Sequence, residues 1–83
     1  MDADALIAKH IEPDPLRPGP DDVRLKPSGV PVWAIVGQYL ALDRDAAQVA
    51  RDYGIPLEAV EAALAYYERH QAVINGRLAA NAA

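Results

Sequence analysis

The titratable side chains that could support catalysis or bind a metal ion are few and scattered in this chain. Neither His10 nor His70 lies in a predicted helix with a second ligand three or four residues away, the spacing that brings two ligands together. The acidic pairs Asp21–Asp22 and Asp43–Asp45 fit turns and helix caps better than acid–base chemistry. The 83 residues contain no cysteine, no Ser-His-Asp order and no phosphate-binding glycine loop. We therefore expect no enzyme activity, no metal and no cofactor.

Basic side chains offer a different kind of chemistry, namely contact with nucleic-acid phosphates. The candidates are Arg24, Lys26, Arg44, Arg51, Arg69 and Arg77. Twelve acidic against eight basic residues give a net charge of -4, and this overall potential repels a polyanion. DNA binding therefore has to arise from the local placement of a few cations.

The first 22 residues have the pattern of an arm followed by a connector. Apolar residues recur at helical spacing near the start, with Asp2 or Asp4 in position to cap a helix of about two turns. This apolar stripe consists of Ala3, Leu6, Ile7, His10 and Ile11. Four prolines between Glu12 and Pro20 then forbid a helix and predict a stiff, extended connector.

The connector leads into a segment that alternates apolar and basic residues from Val23 to Lys26 and ends at a Pro27-Ser28-Gly29 turn. This pattern predicts a short strand. Because one strand is not stable alone, we expect it to pair with the same segment of a second subunit. The separate apolar stripe of the arm likewise suggests an arm that crosses to that subunit, giving a dimer.

Two helices with clear start or stop signals are predicted next. The first begins at Pro31 and runs to Leu42 with its apolar residues on one face. The second is capped by Asp45, with Gln48 three residues later in a capping-box pattern, and stops at Gly54.

The last predicted helix begins at Leu57 and is the longest, with a break or bend expected between His70 and Gly76. A rotation of about 100° per residue turns Val60, Leu64 and Tyr67 inward. The same rotation leaves outside Glu58, Ala62, Ala65, Tyr66 and Arg69. Glu58 and Ala62 would then contact base edges, where a glutamate can accept a hydrogen bond from cytosine.

A short capped helix, a three-residue turn and a longer helix have the layout of a helix-turn-helix, and the helix from Pro31 would complete a three-helix bundle. We therefore predict an all-α chain with an arm and connector over 1–22 and a helix-turn-helix domain over 23–83. In this arrangement Arg44 and Arg51, at the first helix of the motif and its entry, would contact the DNA backbone, with Lys26 and Arg24 as further cations.

The outward strip of the last helix also fits a protein interface, because Tyr and Arg are favoured at such surfaces and small residues permit close helix packing. Trp33 lies off the centre of its helix stripe and fits either an interface or packing under a loop. The interface candidates are Leu6, Ile7, Ile11, Trp33, Tyr66 and Arg69.

Three segments together resemble the bacterial domain of unknown function 433 family. They are Gly29-Val30-Pro31-Val32-Trp33, Val49-Ala50-Arg51-Asp52-Tyr53, and the run from Leu57 to Tyr67 with His70 and Ile74. The resemblance covers about Val23 to Leu78. Members commonly carry Gly-Thr-Arg before the Pro-Val, where this chain has Lys26-Pro27-Ser28-Gly29-Val30, so no basic contact is carried over from that arginine.

The resemblance implies a homeodomain-like fold and a gene often placed beside a PIN-like nuclease toxin. It therefore predicts an antitoxin of a type II toxin–antitoxin pair that binds double-stranded DNA and neutralises its toxin directly. The alternative is a dimeric assembly module that does not bind DNA. The acidic start, without a long apolar run, predicts a cytoplasmic protein with no membrane contact.

Overall fold

The computed structural model describes residues 2–82. Within this range the chain forms five helices and a two-stranded sheet. In chain order they are α1 (Ala3–His10), β1 (Ile11–Glu12), β2 (Arg24–Leu25), α2 (Val32–Ala41), α3 (Ala46–Tyr53), α4 (Leu57–Arg69) and α5 (Gln71–Ala82). The prediction of a helical protein is confirmed, with a small sheet added. None of these described helices is both long enough and apolar enough to cross a membrane.

Aspartate side chains cap α1 and α3 as the sequence predicts. Asp2 accepts a hydrogen bond from the backbone N–H of Ala5 at 2.8 Å, and Asp45 accepts one from that of Gln48 at 3.0 Å. The reciprocal half of the capping box is absent within residues 2–82, because the Gln48 side chain donates instead to Asp52 at 2.7 Å.

The carboxyl-terminal ends of α3 and α4 also lie where the sequence predicts. Gly54 follows α3 with a φ of 65°, a left-handed conformation that glycine adopts without strain. The predicted break after α4 occurs at His70, and α5 begins at the next residue. Gly76 lies within α5 rather than at its start.

The expectation that the short strand pairs with a second subunit is wrong. β2 pairs antiparallel with β1 of the same chain, with Ile11 opposite Leu25 and Glu12 opposite Arg24. The connector makes this possible, because it carries the chain back on itself between the two strands. A bond from the Lys26 N–H to the His10 carbonyl, at 2.7 Å, continues the pairing.

The apolar core lies between α2, α3, α4 and α5, with β2 closing one side. Its buried members are Leu25, Val32, Ile35, Val36, Val49, Ala50, Ala59, Val60, Ala63, Tyr66 and Ile74. Most are branched aliphatic or small residues, which lets short helices cross closely. Ile7 and Ile11 of the arm also pack against this core, so the arm is part of the same apolar cluster.

Candidate nucleic-acid interface and the arm that covers it

Helix α1 lies on α4 of its own chain and runs antiparallel to it. At the start of α1, Asp4 forms a salt bridge with Arg69 near the end of α4. At the other end of α1, Lys9 and His10 lie 2.9 Å and 2.5 Å from the Glu58 carboxylate in the first turn of α4. These two ends fix both the position and the direction of the arm, so the predicted crossing of the arm to a second subunit is wrong.

The surface under α1 is a stripe of α4 formed by Glu58, Ala62, Ala65 and Arg69, which we call the arm-docking face. Its members follow one another at intervals of four, three and four residues and therefore share one side of the helix. Ala62 lies midway between the two anchored ends and is fully buried. The small alanine side chains allow the backbones of α1 and α4 to approach closely.

This burial corrects the sequence prediction for Ala62, which cannot contact a base in this arrangement. The prediction placed only one face of α4 inward, whereas the core helices cover one side and α1 covers the other. Glu58 is likewise engaged by the arm rather than free to accept a hydrogen bond from cytosine. The face expected to meet DNA is therefore occupied by the chain itself.

Tyr66 is also buried, at 8% exposure, and was wrongly predicted to be an exposed interface anchor. Its hydroxyl donates a hydrogen bond of 2.5 Å to the carbonyl of Pro20, and its ring stacks on His70 at a centroid distance of 4.3 Å. Burial, with a smaller contribution from the charge of Asp21, raises the pKa of Tyr66. Tyr66 therefore ties the connector to α4. Tyr67, predicted to point inward, is half-buried and packs against the core.

The Glu58 carboxylate is the electrostatic centre of the arm-docking face. Hydrogen bonds from Lys9 and then from His10 lower the pKa of Glu58, and these outweigh the opposing effect of desolvation. The carboxylate also lies at the amino-terminal end of α4, where a negative charge interacts favourably with the helix dipole. The ionised form of Glu58 is therefore the one that holds the arm.

Replacing Glu58 by glutamine should make the free energy of unfolding less dependent on pH in the acidic range. Because the folded-state pKa is lowered, the stabilisation is present above the unfolded-state pKa and is lost as pH falls through the folded-state value. We expect the free energy of unfolding to fall less steeply for Glu58→Gln than for wild type between about pH 5 and pH 3. Glu61→Gln is the matched control and should keep the wild-type slope, since Glu61 forms no ion pair within residues 2–82. If urea titrations gave Glu58→Gln the same pH dependence of the free energy of unfolding as wild type, the result would contradict the role of the Glu58 carboxylate in holding the arm.

The candidate DNA-contacting cations divide into engaged and exposed groups. The Arg24 side chain donates to Glu12 at 2.8 Å, and Lys26 donates to the Ala8 carbonyl at 3.1 Å. By contrast, Arg44 and Arg51 are exposed at the two ends of α3, and within residues 2–82 neither forms a salt bridge. Arg51 only donates to the Gln48 amide oxygen, at 3.0 Å. The structure thus leaves Arg44 and Arg51 accessible for phosphate contact.

A second ionic cluster, missed by the sequence reasoning, links α5 to the connector. Arg77 forms salt bridges with Asp22 and, at 3.5 Å, with Asp21, and its guanidinium lies 5.2 Å from the Trp33 ring centroid. The hydrogen bond to Asp22 raises the pKa of Arg77. Asp21 and Asp22 therefore bind a cation in addition to forming a turn. Because Arg77 is engaged by these carboxylates, it is not available to DNA. In the sequence, the adjacent carboxylates Asp21 and Asp22 at the end of the connector are the feature that could have indicated a cation binding there from a distant part of the chain.

The apolar interface candidates are used within the chain. Ile7, Ile11 and Trp33 pack against the core, and Leu6 is half-buried in α1. Arg69 is engaged by Asp4. Ile7, Ile11 and Trp33 therefore serve internal packing in the single chain, whereas Arg69 remains partly exposed beside Asp4.

The titratable side chains of the described part of the chain do not gather into a metal-binding group. Across residues 2–82, no group of three or more His, Asp or Glu side chains could hold a metal ion. His10 contacts Glu58 and His70 stacks on Tyr66, so both histidines have structural neighbours. Asp45 caps α3 as described, which agrees with the capping interpretation for that carboxylate.

The fold and these contacts define a small helical domain with an arm docked on its own α4. The family model with the description "Protein of unknown function (DUF433)" matches residues 22–67, more than half of the 83 residues. The chain therefore belongs to this family, as the sequence resemblance predicts. The match runs from the end of the connector through most of α4, and it does not include α1 or α5. No curated protein and no solved structure matches the chain.

Proposed function

We propose that this protein is an antitoxin-like, DNA-binding regulator of a type II toxin–antitoxin pair that neutralises a PIN-like nuclease by direct binding. In this proposal α2, α3 and α4 act as a homeodomain-like helix-turn-helix, with α3 crossing the DNA backbone. Membership of the DUF433 family and the capped order of α3, Gly54 and α4 support the proposal. Such a regulator would act in the cytoplasm beside the DNA of its own operon.

The exposed pair Arg44 and Arg51 is the observation that carries the DNA-binding part of the proposal. Arg51 lies in the last turn of α3, and Arg44 lies two residues before the helix, with a φ of 63° in the tight turn that enters it. A cation held at each end of the first motif helix is suited to contact phosphates on one DNA strand. Asp43, Asp45 and Asp52 lie nearby in sequence and oppose this attraction, so we expect weak, strongly salt-dependent binding by a single chain.

Base contact by α4 requires a change in the arm. With α1 docked, the arm-docking face is covered, and DNA can meet only the ends of α3 and the exposed start of α4. We propose that the docked form contacts the DNA backbone alone, and that sequence-specific contact follows when α1 leaves α4. A partner that captures α1 would then couple nuclease binding to DNA binding.

Replacing Arg44 and Arg51 together by alanine should weaken binding to duplex DNA of any sequence. Each lost phosphate contact is expected to lower the slope of log K against log salt by about 0.9. Fluorescence anisotropy with a labelled duplex over a series of salt concentrations measures this slope. Arg17→Ala is the matched control, because it removes an exposed connector cation outside the motif and should leave the slope unchanged. An unchanged slope for the double variant would reject the proposed backbone contacts.

The second candidate function, an assembly module without DNA binding, is favoured by the occupied face of α4. Under this account α1 belongs permanently to the fold, and the net charge of -4 helps recognition of a basic protein partner. Absence of salt-dependent binding to any duplex would favour the second function over the first.

A further inference from the structure

The connector presents an exposed leucine on a preorganised turn. Leu16 is 89% exposed, the highest value among the exposed large apolar residues of the described chain. The Asp14 carboxylate accepts hydrogen bonds from the backbone N–H groups of Leu16 and Arg17, at 2.8 Å and 3.3 Å. Pro15 lies within this turn and Pro18 follows it, and both prolines limit its backbone freedom. A residue held in this way loses little conformational entropy when it binds.

A cleft on another part of the surface is lined by both apolar and polar side chains. It lies between the end of α2, the second half of α4 and the start of α5, with a volume of about 270 Å³. Its apolar lining comes from Tyr39, Leu40, Leu64 and Tyr67, and the side chain of Leu40 remains 39% exposed. Arg44 and Glu68 also line this cleft.

The charges around the turn and the cleft are complementary. The turn carries an acidic residue, the leucine and then a basic residue, whereas the cleft combines Arg44, an apolar lining and Glu68. Within residues 2–82, Arg17, Arg44 and Glu68 form no salt bridge. The second oxygen of Asp14 likewise accepts no hydrogen bond from the described residues. These charged groups are therefore available to a partner.

We propose that the cleft binds the Leu16 turn of a second copy of this chain, with Arg17 facing Glu68 and Asp14 facing Arg44. Leu16 does not occupy the cleft of its own chain, as its exposure shows. A two-fold pair fills both clefts with both turns and closes as a dimer. The contact is small and partly polar, so the dimer is weak and reversible. It differs from an exchange of arms, and it engages Arg44, which the proposed phosphate contact also uses.

Sedimentation velocity of the full chain over a micromolar to millimolar series tests this dimer. Wild type should show a reversible monomer–dimer equilibrium, and Leu16→Ala should weaken it by about tenfold or more, because two buried leucine side chains are truncated. Val73→Ala is the matched control, since Val73 is an exposed apolar residue outside both the cleft and the connector. Circular dichroism verifies that each variant is folded.

A charge exchange identifies the register of the contact. Arg17→Glu and Glu68→Arg should each weaken the dimer severalfold through like-charge repulsion, and the double variant should recover most of the affinity. A monomeric wild type across the series, equal effects of Leu16→Ala and Val73→Ala, or a double variant no better than either single variant would overturn the proposal. Assemblies larger than a dimer would overturn the two-fold closure.

Discussion

Replacing Tyr66 by alanine should remove about 3–5 kcal/mol from the free energy of unfolding, the range typical of truncating a buried aromatic side chain. Tyr66 is buried among the core residues, contacts the connector through Pro20 and stacks on His70. This loss is a large fraction of the net stability of a small domain. Urea titration followed by circular dichroism at 222 nm measures the change.

Two conservative variants separate the ring of Tyr66 from its hydroxyl. Tyr66→Phe keeps the packing and removes the bond to Pro20, so it should cost about 1 kcal/mol. Tyr67→Phe removes a comparable bond from the Tyr67 hydroxyl to Asn75, 2.7 Å long but exposed to solvent, and should change stability by less than about 0.5 kcal/mol. A urea midpoint of Tyr66→Ala equal to that of wild type would contradict the burial of this ring.

Replacing Ala62 by leucine should release the arm. Three additional carbon atoms at a fully buried position between α1 and α4 are expected to cost about 1–3 kcal/mol. An α-helix of eight residues such as α1 has little stability of its own, so it should melt when its contact with α4 is weakened. Hydrogen–deuterium exchange should therefore show loss of protection in residues 3–10, with the core helices still protected.

Ala72→Leu is the matched control for this substitution, because Ala72 is exposed on α5 and the same atoms add no overlap there. Neither variant changes the charge, so their affinities for duplex DNA can be compared directly. If α4 contacts bases once uncovered, Ala62→Leu should bind DNA more tightly than Ala72→Leu does. Retained protection of residues 3–10 in Ala62→Leu would show that α1 does not lie over Ala62.

The helix boundaries could be predicted because they depend on local chemistry. Asp45 caps α3 through a hydrogen bond three residues away, and Gly54 ends it with a backbone conformation that other residues adopt at a cost. The arm helix follows from Asp2 and an apolar stripe in the same way. Each of these features is determined within a few residues of sequence.

The location of the arm could not be predicted, because it depends on contacts between residues far apart in sequence. The apolar stripe of α1 requires a surface but does not specify which one. Asp4 and Arg69 are 65 residues apart, and His10 and Glu58 are 48 apart. The sequence does place opposite charges at the ends of α1 and α4. These charges indicate a contact between the two helices only if the helices are assumed to run antiparallel.

The prediction for the outward face of α4 is wrong at Ala62 and Tyr66 for the same reason, whereas Val60, Leu64 and Tyr67 of the inward face do pack in or against the core. The 100° rotation identifies which residues share a side, but alanine fits both a buried contact and an exposed face. The sequence therefore predicts Ala62 on the DNA side and Tyr66 on the exposed face, since tyrosine occurs in both environments. Arg44 and Arg51 keep their proposed role, because their exposure depends on the local ends of α3 rather than on the docking of the arm.

The covering of α4 by the arm of the same chain is the central claim, and isotope-filtered nuclear Overhauser spectroscopy measures it directly. In uniformly labelled protein, the Ala62 methyl group should show contacts to side chains of α1. In a sample mixed from labelled and unlabelled chains, a filter that selects contacts between the two should find none of these. Arm contacts that survive in the mixed sample would place α1 on a second subunit, and their absence from both samples would show that α4 is not covered.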